Sequence, residues 1–467
     1  MKRSALSEVW PLSPLQEGLL FHATFDEQAV DVYSGQHVME LEGPLDAEVL
    51  RASGQAMLDR HANLRAGFRQ TAGLAQPVQV IAARVALPWR EADVSALPSA
   101  GAEAEADRLA AEDLDRGFDP AVPPLLRFLL IRFGARRHRL VITNHHILLD
   151  GWSLPIFKRE LFGVYRAGGD SSGLKPVPPY RDYLVWLSRQ DRQAARAAWR
   201  RELDGKQEPT RVVVADPGRD PVMTELTELR LGPEPTGALR ELAQAHGVTL
   251  NTVVQGAWAM LVSRLAGRSD VVFGAVVAGR PPELPGVEDM LGLFINTLPV
   301  RVPLDPAQRV CDMLVALQAR QSALTAHQYL GLAEIQREAG PGAVFDTLVV
   351  YENYPFDPTV APAAPAAADP DSLRVTSRGG RQAAHYPLTL GIRPGRDGLA
   401  LHVDYRPDLF DQRTAAELLA RLVRILEAVA ADPGVLVGRV PVLGAAEWVR
   451  VVEEWNDTGV GVGVGTL

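Results

Sequence analysis

Two adjacent histidines, His145 and His146, are followed after three apolar residues by Asp150 and Gly151. Imidazole is the side chain that can take or give a proton near neutral pH. Residues 138–143 (HRLVIT) read as a strand that delivers the pair. Neighbours on a strand face opposite sides, so one histidine can face a given cleft while the other is held in the structure. Asp150 can pair with a buried base and fix the loop. Gly151 allows close backbone approach or a positive φ just before a helix begins. A zinc site needs three or four ligands facing one point. Adjacent histidines diverge, and the chain has no HExxH run and no second His/Cys cluster, so no metal is expected.

The elements that must position this segment alternate between helix and strand. Residues 124–133 (PLLRFLLIRF) and 138–143 form an antiparallel pair joined by a short basic turn, Arg132 to Arg139, and 153–167 read as a helix. Upstream, a helix opens at Ser13-Pro14, a strand covers 34–42, and helices cover 46–61 and 103–115. The Gly/Ser/Pro-rich stretch 168–179 is the best internal boundary. Beyond it, helices are expected at 235–246, 249–267, 309–326 and 411–431, and strands at 270–277, 293–302, 384–393 and 398–405. Residues 355–371 read as a loose Pro/Ala-rich loop.

The 467 residues are 47% hydrophobic and 22% charged, enough for large cores and unlike a disordered chain. A net charge of −9 argues against broad nucleic-acid binding, which needs clustered positive charge. Cys311 is the one cysteine, so no internal disulfide forms, and its helical surroundings predict a core residue. There is no signal peptide and no apolar run of membrane-spanning length, so a cytoplasmic protein without a membrane partner is expected.

The run His145-His146-Ile147-Leu148-Leu149-Asp150-Gly151 resembles HHxxxDG, the signature of the condensation domains of non-ribosomal peptide synthetases, which are related to chloramphenicol acetyltransferase. Other segments agree in order. Residues 11–22 (PLSPLQEGLLFH) resemble the opening motif, and 60–68 (RHANLRAGF) resemble RHxxLRxxF. Residues 180–186 (YRDYLVW) resemble YxDxxxW. Gly279-Arg280-Pro281 and 288–297 resemble the GRP and GxFxNT stretches, and 345–355 resemble a late motif. The resemblance runs from about residue 9 to residue 458.

The resemblance implies an α/β (α+β) fold: two chloramphenicol-acetyltransferase-like lobes, 1–175 and 176–455, in a V-shaped pseudo-dimer with the active-site tunnel between them. Residues 456–467 would start a linker to an adenylation domain. The implied reaction joins a donor acyl or peptidyl thioester to the α-amine of an acceptor aminoacyl thioester. Both substrates would arrive on phosphopantetheine arms of an upstream donor and a downstream acceptor peptidyl carrier protein. No cofactor is bound by the domain itself, and the excised domain is expected to be a monomer.

Within that frame His146 is the reacting residue, as base or as positioning group, and His145 is structural. Asp150 pairs with Arg280 or Arg65, and Arg65 is otherwise a structural base. Gly151 offers a backbone N–H near the donor thioester. Asn296 offers an amide to the tunnel, which Trp199 lines if it is not a core residue. Epimerisation is disfavoured because 377–386 (SRGGRQAAHY) has no glutamate, and heterocyclisation because His145 and His146 stand where aspartates would. An ester-forming member and a catalytically silent recruitment domain are the remaining alternatives. The opening and late motifs look more like the subtype taking a donor that ends in a D-residue.

Overall fold

The computed structural model describes residues 6–25, 33–70, 73–74, 76–206, 208–214, 222–353, 372–381, 386–395 and 398–457. The predicted loop 355–371 and residues 458–467 of the predicted linker lie outside them. Three sheets hold the described strands. The smallest joins β1 (Leu6–Pro11), β4 (Val78–Ala82) and β3 (Ala66–Arg69).

The second sheet positions the histidines. Its order is β12 (Arg374–Arg381), β2 (Ser34–Glu42), β7 (Arg137–His145), β6 (Leu126–Arg132) and β5 (Trp89–Asp93). The run LRFLLIR of β6 is buried on both sides up to Arg132, its apolar stretch 128–131 facing both layers and Arg127 paired with the buried Asp113 at 2.9 Å. One face of β2 and β7 presents Met39, Leu41, Leu140 and Ile142 to the helices Ala47–Arg60 and Ser153–Arg166. The other presents Val38 and Val141 to the helix Ser99–Asp115, whose Ala102, Ala106 and Ala110 let it approach closely. That helix is also tied down by charge. The buried Arg139 guanidinium donates to Glu40 (2.7 Å), Glu103 (2.6 Å) and Asp107 (2.8 Å). The basic run thus forms the β6–β7 hairpin, and part of its charge is spent inside the fold.

The third sheet has the order β10 (Asn296–Pro303), β9 (Asp270–Val277), β11 (Thr347–Tyr351), β13 (Leu388–Gly395), β14 (Gly398–Tyr405) and β8 (Glu225–Leu231). One face packs on the helices Pro233–Ala245, Leu250–Ala266 and Gln412–Ala431 in the largest core. The helix Leu250–Ala266 is buried almost all round, so it is apolar on every side.

The two large sheets exchange chain. After β11 the polypeptide returns to the second sheet, where β12 pairs antiparallel with β2 (Ser377 opposite Met39). Val287, Met290, Leu291 and Phe294 wedge into the core that holds Met39 and Ile156. Strand β10 begins at Asn296, later than the expected 293, because the backbone N–H of Phe294 is taken by Asp150. Cys311 is a correction. It is half-exposed, because the buried stripe of its helix runs through Val310, Met313, Leu314 and Leu317, and position 311 lies beside it.

Candidate active site

The β2–β7 ladder carries the chain to the histidines. Ser34 stands opposite His145, and one residue further the His146 N–H donates to the Tyr33 carbonyl at 2.7 Å. The His145 ring is fully buried, and its Nδ1 accepts the Ile147 N–H at 3.1 Å. That bond assigns its proton to Nε2 and closes the turn behind the strand. The buried Gln16, from the opening motif, donates to the Ile147 carbonyl at 3.1 Å and is itself held by Gln79 at 2.8 Å.

His146 differs from its neighbours. From His138 to Asp150 every residue is buried except this one, which keeps partial access to solvent. Burial pushes its imidazole below the ordinary 6.5, opposed by backbone carbonyls and by the charge of Asp150. A neutral imidazole with partial access to solvent can accept a proton from an entering group.

Asp150 faces the other way, into a closed knot. Its Oδ1 accepts the Ser153 N–H (2.8 Å) and lies 3.4 Å from Arg280 Nη2, and its Oδ2 accepts the Phe294 N–H (3.0 Å). The Ser153 hydroxyl lies 2.8 Å from both Asp150 Oδ1 and the Gly292 carbonyl, and can donate to one at a time. The same oxygen accepts from the Gly292 N–H (3.1 Å) and from Arg280 Nη2 (3.0 Å). Arg280 also donates to the Val287 and Met290 carbonyls and lies 4.0 Å over the Phe294 ring. The arginine reaches this position because Gly279 precedes it. There φ is +62°, and a Cβ would meet the Phe294 carbonyl oxygen at 1.8 Å.

Of the two candidate arginines, Arg280 is therefore the partner of Asp150. Arg65 is remote from it and donates to the Leu58, Asp59 and Ala82 carbonyls. Asn296 corrects the expectation of a free amide. Its nitrogen donates to the Gln328 and Leu330 carbonyls, both at 2.8 Å, so it pins that loop. Trp199 is a core residue beside Val272 and Leu298, its Nε1 bonded to the His327 carbonyl at 3.0 Å. Gly151 sits in the turn before the helix without a positive φ, so that reason for a glycine does not apply there.

One residue escaped the sequence reading. His37, on β2, shares the face of Met39 and Leu41 and is buried. Burial, then the charge of Lys158, push it down to about 3, so it stays neutral. The alternation HVMEL was the available signal. No motif marks it.

A partly accessible histidine one residue past the end of a strand is thus backed by a buried Asp–Arg knot between segments of two helix-covered sheets. The chain belongs to the condensation-domain family of non-ribosomal peptide synthetases, acyltransferases that form peptide bonds, and matches that family over residues 6–448. It is 37% identical over 462 residues to one of the linear gramicidin synthase polypeptides of Brevibacillus parabrevis, and 35% identical over 466 residues to another. These matches cover 97% and 98% of this chain but 9% and 6% of the two synthase polypeptides, so the chain spans a small part of their length. Among solved structures it is similar to the X-domain from teicoplanin biosynthesis, with a TM-score of 0.78 and 25% identity, covering 94% of this chain and 98% of that one.

Proposed function

We propose that this chain forms an amide bond between a carrier-bound donor thioester and the α-amine of a carrier-bound acceptor. The amine attacks the thioester carbonyl, the C–N bond forms, the C–S bond breaks, and the amine proton passes by way of the medium or His146 to the leaving thiolate. The observation that carries this reading is that His146 alone of its run reaches solvent, in neutral form. An α-ammonium loses its proton near pH 8, so a modest base or a positioning group suffices. Gly151, at the start of the helix, is the candidate N–H donor to the developing oxyanion. His145 and Asp150 hold the turn.

The wider reading follows the same lines. Residues 1–175 and 176–455 are the two lobes, the substrate tunnel runs between them, and 456–467 begin a linker to an adenylation domain. Donor and acceptor carriers dock at opposite ends, each with its phosphopantetheine arm, and the donor ends in a D-residue. The protein works in the cytoplasm. Among the described residues no helix is long and apolar enough to cross a membrane.

The test loads a dipeptidyl donor and an aminoacyl acceptor on separate carriers and follows transfer by intact-protein mass spectrometry. L- and D-terminated donors are compared, with wild type beside His146→Ala. Transfer is expected, faster from the D-donor, and about 100- to 10,000-fold slower in the mutant. Residual transfer reflects tethering of the two substrates. No transfer by folded wild-type protein would overturn the reading. A second reading has one specific support: a solved complex pairs a teicoplanin X-domain, 26% identical to this chain, with OxyB. Capture of a tailoring enzyme without any transfer would favour such a recruitment role.

A further inference from the structure

The turn that follows the histidine pair is held from a third place. His146 ends the β2–β7 ladder with its N–H on the Tyr33 carbonyl, and residues 147–150 carry the chain from there into the Asp150 knot. The first two N–H groups of the turn point back to His145: that of Ile147 to the ring Nδ1 and that of Leu148 to the carbonyl, both at 3.1 Å. The His146 ring rests on the same turn, where the carbonyls of His146 and Leu149 favour its proton. The direction of the ring therefore follows the backbone of residues 146–149. The Leu148 N–H and the Ile147 carbonyl belong to one planar unit. His145 holds the first, and the second accepts from Gln16 Nε2 at 3.1 Å, from 131 residues away in sequence.

Gln16 is itself fixed. It is 2% exposed and lies in the first turn of the helix Pro14–Phe25. Its Oε1 accepts the Ser13 N–H at 2.9 Å and Gln79 Nε2 at 2.8 Å. Gln79 is fully buried on β4, between Trp10 of β1 and Phe68 of β3, and also donates to the Pro11 carbonyl at 2.8 Å. Two amides in series thus link the three-stranded sheet to the turn after His146. The start of the helix is packed from the other side as well. A Cβ at Gly331 would meet Pro14 Cβ at 2.9 Å, and Gly331 follows the loop that Asn296 pins.

Packing alone does not account for this series. The Gln79 Oε1 is buried without a hydrogen-bond partner among the described residues, a group that an apolar side chain at position 79 would not leave. A buried polar series specifies one arrangement where apolar contacts tolerate several.

We propose that Gln16, held by Gln79, is a positioning residue for His146: it fixes the peptide between Ile147 and Leu148, and with it the direction of the imidazole. How the ring is held stands on these contacts. What its direction serves rests on the amide-forming reading, in which a shift of about 1 Å at a reacting group can lower the rate by about 100-fold.

The test separates position from stability. Gln16→Met keeps the length of the side chain and removes its bonds to Ile147, Ser13 and Gln79, whereas Gln79→Met removes only the support. Each is compared with wild type after circular dichroism shows it folded. In Gln16→Met, kcat for transfer between carriers should fall by about 10- to 100-fold with KM for both carriers unchanged, and in Gln79→Met by a smaller factor. Adding Gln16→Met to His146→Ala should slow transfer no further, because the ring it positions is gone. Independently of transfer, NMR of isotope-labelled histidine rings should show the His146 signal, assigned by its loss in His146→Ala, shifted in Gln16→Met. The Leu148 amide should exchange at least about tenfold faster there. An unshifted His146 signal with unchanged Leu148 exchange in folded Gln16→Met overturns the positioning role, and so does a shifted signal with unchanged kcat. The full loss repeated in the His146→Ala background overturns it too, being what a purely structural defect gives. Should Gln16→Met fail to fold, the same readings in Gln79→Met decide. A shifted ring in Gln16→Met, beside a folded wild type that transfers nothing, would leave the hold on the ring standing and sink the amide-forming reading instead.

Discussion

Asp150 is a fully buried carboxylate and Asp404 a partly buried one, and their surroundings are opposite. Asp150 is fully buried and accepts from two backbone N–H groups, with Arg280 and the Ser153 hydroxyl completing its shell. Its donors come from both large sheets' segments, so its charge is used to hold a shape. Asp404 has a neutral imidazole and a second carboxylate beside it, and among the described residues nothing donates to it at hydrogen-bond distance. Burial of charge is the same physical act in both places. What differs is how completely the fold answers the charge: a closed shell of donors at Asp150, a nearby imidazole and a more distant guanidinium at Asp404.

The comparison can be broken most strongly at Asp150. Asp150→Ala strands Arg280 as a buried cation and should cost about 3–5 kcal/mol in urea unfolding, with Arg280→Ala similar. The double mutant should lose much less than the two singles together. Additive losses would show that the pair is not a unit.

His37 gives an intermediate effect. Its folded value of about 3 lies below its ordinary 6.5, so the unfolded chain takes a proton first as the solution is acidified. The stability it leaves intact above pH 6.5 is therefore lost as pH falls towards 3, by about 2 kcal/mol at pH 5. His37→Leu should lose less than wild type between pH 7 and pH 5 by that amount, measured from urea midpoints at the two pH values. Equal losses would mean the ring keeps access to water.

The smallest effect separates the two aspartates by sign. Asp404→Asn at pH 8 removes a charge whose folded value, about 6, lies above the ordinary 3.8. It should leave stability unchanged or raise it by ~1 kcal/mol, where Asp150→Asn lowers it. Destabilisation by Asp404→Asn would reveal a partner for that carboxylate.

The candidate centre was legible in the sequence as a compact His-His and Asp-Gly pattern, and its two strands through the apolar stretches 128–131 and 140–142. It also named Arg280 as a possible partner for Asp150, while leaving Arg65 equally open. Only the fold shows that Arg65 lies among carbonyls. Strand β8 was not anticipated, since ELTELRL exposes most of its length and carries charges. The helix Arg192–Leu203 was hidden by its four arginines, which project to solvent or pair with Glu334 and Glu338. Asn296 looked available because its sequence neighbours say nothing of the loop at 328–330 that it holds. The approach of Glu352 and Asp404 to His402 was invisible for the same reason, since Glu352 follows β11 and the other two lie on β14.

The longest-range pairing, β12 on β2, sets a schedule for synthesis. When His145 has left the ribosome, the sheet that carries it still lacks its outermost strand, which lies roughly 230 residues downstream. At the usual pace of translation that strand emerges roughly 10 to 50 s later. Through that interval the edge of β2 presents unpaired backbone groups, the template on which a neighbouring chain can add. On a polysome, where copies of this chain crowd together, the segment 374–381 must win a race against its own siblings.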